Sequence, residues 1–317
     1  MANKVAFNQK DMEYKCQVPV LLLFFNRPAH ARAVLQQLRA VRPNQVFVHC
    51  DGPRAEVAGE TDKVAAVRAL LAEIDWDCRV ETLFRDQNMG LRQGVSTALD
   101  WFFGQVEMGI VLEDDCLPDV SFFNYCESLL QQYNHDPQVM HIAGSNLASA
   151  WTSDYIESFF FSKFVFVWGW ASWRSAWQKM SLTLEGLDDF KAKNRIAEVS
   201  ENPMLQAYLL DKFETTRQNR NNSWAYAWFF SILQAGGLSI VPVKNLVQNT
   251  GIGEAGATHT SKKDKRATIR AGRLDFPLIQ PKTKNRLSGL DQQLFYLSQK
   301  SRWRLVLWYL LKKAGLR

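Results

Sequence analysis

The chain has 317 residues, 47% of them hydrophobic and 22% charged, which is enough to bury a substantial core and excludes disorder as the main state. Thirty-eight Lys and Arg against 32 Asp and Glu give a formal charge of +6, which suits an anionic partner without choosing among nucleotide, phospholipid and nucleic acid. Five scattered cysteines with no CxxC pair disfavour a disulfide framework and a zinc site; with no apolar signal core in the first residues, they predict a protein of a reducing cytosol.

From Val18 to Gly144 short apolar runs alternate with segments of helical period, the pattern of an α/β fold with a mostly parallel sheet covered by helices. In chain order the pattern predicts a strand from Val18 to Phe25, a helix from Ala29 to Ala40, a strand from Gln45 to Cys50 and a helix from Glu60 to Ile74. A third strand is predicted from Cys78 to Phe84, then a helix from Leu91 to Phe103, a central strand from Gly109 to Glu113, a helix from Val120 to Tyr133 and a strand in QVMHIAG. Beyond Trp151 the alternation fades into aromatic segments, with helices predicted from Glu198 to Arg217 and from Tyr226 to Ala235 and a strand in LSIVPV. Lys262 to Lys284, rich in Lys, Arg, Thr and Pro, reads as an exposed arm. Ser301 to Arg317 is an apolar block bracketed by Arg and Lys, too short to span a bilayer; it fits an amphipathic C-terminal helix that either packs on the body or lies in an anionic membrane surface. The division expected is 18–150 and 151–260 as two halves of one domain, 261–300 as a basic arm and 301–317 as the terminal helix.

Ligands of open parallel sheets bind outside the carboxyl ends of the strands. Each predicted strand delivers polar residues there: Asn26 and Arg27 after the first, Asp51 after the second, Arg85 and Asp86 after the third, Asp114 and Asp115 after the fourth. The sharpest element is VLEDDC, Val111 to Cys116. Three adjacent carboxylates at the end of a buried strand repel one another unless a cation or hydrogen-bond donors offset them, and oxygen ligands suit Mg²⁺ or Mn²⁺ bridging a diphosphate. The alternative is a run of acids capping the next helix. There is no Walker-type phosphate loop, no GxGxxG after the first strand and no GxSxG elbow, so P-loop, dinucleotide and serine-hydrolase chemistries lose their support. The basic residues gather in the arm and tail rather than on a face interleaved with aromatics, so nucleic acid is not an expected partner.

FNRP (Phe25 to Pro28), DGPR (Asp51 to Arg54), FRDQNMGLRQGV (Phe84 to Val95) and VLEDDC resemble the nucleotide-sugar half of GT-A-fold glycosyltransferases, most closely bacterial relatives of N-acetylglucosaminyltransferase I. The resemblance continues through VWGWASWRSAW, SWAYAWFF and GLSIVPVKNLVQNTGIGEAGATHT, spanning roughly Val18 to Thr260. It implies a GT-A, Rossmann-like fold and transfer of a sugar, from a UDP-linked, GlcNAc-type donor, to a hydroxyl of a cell-surface glycan or lipid-linked acceptor. By the same resemblance Asp115, and with it His259, would hold Mn²⁺ or Mg²⁺, Asp114 would face the ribose and Glu113 the transferred sugar. Asn26, Arg27 and Asp51 would border the nucleoside, Arg85 and Arg92 would lie near ribose or phosphate, and Gly251 to Thr260 would close over the donor with His259 against diphosphate or metal.

Trp168, Trp170 and Trp173 are expected to wall the acceptor cleft, since aromatic faces pack against the C–H face of a sugar. The counterpart of the relatives' general base carries Ala225 and Tyr226 instead, neither of which takes a proton at neutral pH. The base then comes from Glu254 or Asp154, or the reaction retains configuration and needs none. The rival readings are a nucleotidyltransferase that makes sugar nucleotides and a non-catalytic glycan- or membrane-binding protein of the same fold. The absent signal, free cysteines and basic aromatic tail together predict a cytosolic enzyme peripheral to the inner membrane surface.

Overall fold

The computed structural model describes residues 14–253, 264–299 and 302–315. The first strand, β1 (Val20–Phe24), is five apolar residues, all buried, as expected of a strand covered on both faces. α1 (Pro28–Val41) starts on a proline, whose missing N–H costs nothing in a first turn, and turns Ala31, Val34, Leu35, Leu38 and Val41 inward. β2 (Gln45–Cys50), α2 (Glu60–Ala69), β3 (Arg79–Phe84), α3 (Gly90–Gln105) and β4 (Met108–Glu113) follow in the predicted alternation. The second helix ends early: beyond Ala69 it tightens into a 3₁₀ turn at Leu70–Glu73.

After β4 come a short strand β5 (Cys116–Pro118), α4 (Ser121–Gln132) and β6 (Val139–Ala143). Two strands that the sequence did not announce lie in the aromatic region, β7 (Phe159–Ser162) and β8 (Trp170–Trp173), followed by the single turn α5 (Arg174–Trp177) and α6 (Leu187–Ala192). α7 (Pro203–Arg217) starts five residues later than predicted. Asn202 caps it, its side chain accepting from Met204 and Leu205 N–H, and Pro203 fits only a first turn. The remaining elements are α8 (Ala225–Gln234), β9 (Leu238–Pro242), β10 (Val247–Asn249), α9 (Ser288–Ser298) and α10 (Arg302–Lys313).

The main sheet has eight strands in the order β3-β2-β1-β4-β8-β6-β9-β7, with all but β7 and β8 running the same way. The fold is therefore α/β with a large, mostly parallel central sheet flanked by helices. The sheet crosses the boundary drawn at residue 150, because β8 lies between β4 and β6. A second apolar cluster joins α7, α8, α9 and α10 through Leu209, Phe213, Phe229, Phe230, Phe295 and Leu305.

The span predicted as a free arm is not free where it is described. Gly272 N–H donates to Asn245 O at 2.6 Å, Leu274 is buried with its N–H on Ser121 Oγ at 3.1 Å, and Ile279 exchanges bonds with Ser158. Its last third is α9, which buries Leu290, Leu294 and Phe295. Among the described residues, no helix is long and apolar enough to cross a membrane.

Candidate functional site

The registers Leu23↔His49, His49↔Leu83 and Leu23↔Glu113 bring the carboxyl ends of β1, β2, β3 and β4 out abreast. The side chains gathered there form two groups. The first is the acid turn. Arg27, between β1 and α1, donates to Asp115 Oδ2 at 2.9 Å and to Asp114 Oδ1 at 3.4 Å. Burial, and next the Asp115 charge, push Asp114 up to about 7 and Glu113 up to about 8, with Arg27 opposing.

Asp115 is held from the other side by the chain after β10, which pairs antiparallel with β5 and sets Asn249 opposite Cys116. Thr250 donates to Asp115 O through its N–H (2.8 Å) and its hydroxyl (3.1 Å), and Asn249 Nδ2 lies 3.4 Å from Asp115 Oδ1. A Cβ at Gly251 would run into the Asp115 carboxylate, so a glycine is required for the close approach. The start of the predicted closing loop thus packs on the acid turn. Its remainder, with Glu254 and His259, lies outside the described residues.

The second group surrounds Asp51. This buried carboxylate accepts from the N–H of Gly52 (2.9 Å) and Met89 (3.0 Å) and from Asn88 Nδ2 (3.1 Å), tying the turn after β2 to the start of α3. Burial raises its pKa, while these donors and Arg85 oppose the rise. Asn26 donates to Glu60 Oε1 at 2.7 Å, and Glu60 also takes the Arg54 guanidinium and N–H. That hydrogen-bonded pairing with Arg54 holds Glu60 down at about 2.

Sequence reasoning missed Glu60, His49 and Arg68. Burial, then the Arg85 and Arg68 charges, push His49 down to about 4. His49 Nε2, Arg68 Nε and Arg85 Nε are buried and have no hydrogen-bond partner among the described residues. Buried donors are almost always satisfied, so three orphans in one patch mark a place for a polar ligand or ordered water. Nothing local in the sequence separates these residues from an ordinary strand histidine and a helix-surface arginine.

Several assignments need correction. Arg92 does not face the rim: its guanidinium donates to Thr216 O (2.8 Å), Asn219 Oδ1 (2.9 Å) and Leu182 O (2.5 Å), bracing α3 against the end of α7. Trp170 and Trp173 do not wall a cleft, because they form β8 and are 0% and 3% exposed. Trp170 stacks on His141 with centroids 5.2 Å apart and packs against Trp177, Trp224 and Trp228, so the aromatic block is core. Asp154 sits on an exposed turn, where it accepts from Ser153 Oγ, and among the described residues no hydrogen bond or ion pair ties it to the acid turn.

Trp168 differs from its two neighbours in sequence. It is half-buried, carries the Arg266 guanidinium 5.6 Å above its ring, and lines a cavity of about 240 Å³ with Phe166, Tyr208, Tyr226 and Phe229. β8 pairs Trp170 with Val111. Trp168 lies two residues before that strand, and the residues lining the cavity include none from the acid turn. Tyr226 is half-buried, its hydroxyl 3.3 Å from that of Tyr208, and desolvation pushes its pKa well up; it stays neutral.

No family model and no curated protein matches the chain. Among solved structures, the apo form of mouse xyloside xylosyltransferase 1 overlaps with a TM-score of 0.32 at 14% identity, over 68% of this chain and 81% of that one. An apo UDP-glucose pyrophosphorylase overlaps with a TM-score of 0.33 at 9% identity, over 73% and 93%. HddC from Yersinia pseudotuberculosis overlaps at 0.27 and 10% identity, over 36% of this chain and 55% of its own length, so the chain spans about half of that protein. Overlap at this level carries no activity or substrate across to this chain.

Proposed function

We propose that the chain is a GT-A-type glycosyltransferase that moves a sugar from a nucleoside diphosphate donor, UDP-linked, to an acceptor hydroxyl. The observation that carries this reading is the charge imbalance at the rim. One guanidinium, Arg27, faces three consecutive carboxylates, and burial, together with the charge of Asp115, pushes two of them toward neutrality against it. The acid turn therefore suits a divalent cation. Among the described residues no three acidic, His or Cys side chains converge to form a cage, which accords with an ion that takes one or two protein carboxylates and the rest of its shell from phosphate and water. Asp115, the partly accessible last acid of the triplet, would hold Mn²⁺ or Mg²⁺ there, with Asn249 and Thr250 fixing its orientation. Such an ion offsets the charge that develops on a leaving diphosphate.

The chain's own groups supply the rest. His49, Arg68 and Arg85 offer unpartnered donors beside Asp51, where the nucleoside end of the donor would lie. Arg27 would share its guanidinium between the acid turn and the phosphates. Glu113 and Trp168 stand where the sugar would meet the acceptor.

Asp115→Asn tests this directly. UDP release from UDP-sugars with Mn²⁺ should fall on the order of 100- to 1000-fold, the loss typical of removing one centre of transition-state charge stabilisation. Undiminished turnover sinks the assignment. Inertness of the parent protein toward every UDP-sugar, with turnover only of a nucleoside triphosphate and a sugar phosphate, replaces it by a nucleotidyltransferase.

A further inference from the structure

α10 has two apolar faces, and only one is used. Leu305 is buried, and Trp308 packs edge-on against Tyr208 of α7 with centroids 5.9 Å apart, while Lys312 bonds Asp211 at 2.6 Å. The opposite stripe, Trp303, Val306, Leu307 and Leu310, follows the i, i+3, i+4, i+7 spacing of one helix face and is 65%, 40%, 48% and 56% exposed. The helix contains no acid and carries Arg304, Lys312 and Lys313. An apolar stripe with Trp at its head and cations beside it has the composition of a helix lying in an anionic lipid surface.

Beneath the used face, between α7 and α10, lies a groove of about 620 Å³. Three cations, Lys212, Arg266 and Arg304, line it, and no acid does. Arg266 is engaged by Asp264. Lys212 and Arg304 rest over the rings of Tyr208 and Trp303, and neither is paired with a carboxylate among the described residues. Tyr208, Tyr226 and Arg266 line this groove and also the aromatic cavity that holds Trp168. The two thus share one wall, and the groove forms a cationic mouth beside the aromatic cavity, under a membrane-type helix.

We propose that this mouth binds the phosphate of a lipid-linked acceptor, held by Lys212 and Arg304 while the outward stripe of α10 rests in the membrane and the acceptor's sugar reaches Trp168. The inference rests on the sugar-transfer reading of the rim and narrows its acceptor to a phosphate carried on an apolar chain. Ammonium and guanidinium groups without a carboxylate partner are competent phosphate donors, and the aromatic walls accept the faces of intervening sugar rings.

The test uses the full chain and phosphatidylcholine vesicles that are neutral, or carry phosphatidylglycerol or hexadecyl phosphate at equal surface charge. Sedimentation should show binding to both anionic kinds, with a preference for the phosphate monoester. Replacing the two groove cations that lack a carboxylate partner (Lys212→Gln with Arg304→Gln) should remove that preference, roughly tenfold in affinity for the loss of one or two charge-assisted bonds, and leave most phosphatidylglycerol binding in place through the apolar stripe and Lys313. Leu307→Glu with Leu310→Glu should abolish vesicle binding altogether. Both pairs of substituted side chains are at the surface or the groove lip, and unchanged melting curves verify the fold. The proposal is overturned if the groove variant keeps the full preference, if the stripe variant still sediments, or if inorganic phosphate displaces hexadecyl phosphate at equal concentration. A parent protein that prefers hexadecyl phosphate yet releases no UDP from any UDP-sugar keeps the groove and removes the transferase reading; transfer without the preference does the reverse.

Discussion

The rim and the aromatic block meet where β4 pairs with β8, yet they are built in opposite ways. The rim is positioned by main chain: parallel ladders set the strand ends abreast, and the polar side chains there bond to one another and to backbone amides. The block is positioned by side chains, with Trp170, Trp177, Trp224 and Trp228 packed ring on ring. Chemistry placed on a scaffold of backbone bonds can be altered without cost to the fold, whereas a core of interlocking rings cannot. Substitutions should therefore divide cleanly between loss of stability and loss of turnover.

The largest separation should come from Trp170→Ala. It removes a fully buried ring at the centre of the block and should cost about 3–5 kcal/mol of unfolding free energy, measured by urea titration. A loss below about 1 kcal/mol would mean that the rings are not the keystone that their packing indicates. Asp115→Asn should show the reverse: turnover collapses while the melting temperature stays level or rises, because the charge that disfavours ionisation of Asp114 and Glu113 is gone. A melting temperature that drops with turnover would show that the rim, too, is structural.

Gly251→Ala comes next. Its added methyl must displace the Asp115 carboxylate or the chain after β10, so turnover should fall by roughly tenfold with stability nearly unchanged, since the segment is at the edge of the fold. Parental turnover would mean that the approach is slack. The smallest effect is expected from Glu60→Gln and depends on pH. The folded chain holds Glu60 at about 2, below its ordinary 4.5, so its stabilising effect is complete above about 4.5 and vanishes as pH falls to 2. The variant should be less stable than the parent at pH 7, and the gap should close between pH 4.5 and 2. A gap independent of pH would assign Glu60 no electrostatic part in the rim.

The same contrast explains what could be read from sequence. β1 to β4 were legible because each is a short apolar run between helical periods, and their order alone placed Asn26, Arg27, Asp51, Arg85 and the acid turn on one edge. β7 and β8 were not: FFFS and WASW sit in a longer aromatic run with no period-two alternation, since both faces of each strand are buried. The resemblance of FRDQNMGLRQGV alone implies a place near ribose or phosphate for Arg92. Its partners lie 90 to 127 residues away, beyond the reach of any local pattern. His49, Arg68 and Glu60 were invisible because nothing in their local pattern separates them from ordinary strand and helix residues, although the partners of Glu60 and Arg68 lie nearer in sequence.

β8 runs against both of its neighbours, so it meets the rim with its amino end while β4 meets it with its carboxyl end. The linker that feeds it, residues 163–168, hence arrives at the acid turn from outside and supplies Trp168 without sharing a ladder with β4. Insertions or exchanges in that linker can reshape one wall of the cleft while the register of the acid-bearing strand is untouched. The antiparallel strand works as a joint at which the receiving side of the site can diversify over evolutionary time and the cation-facing side can stay as it is.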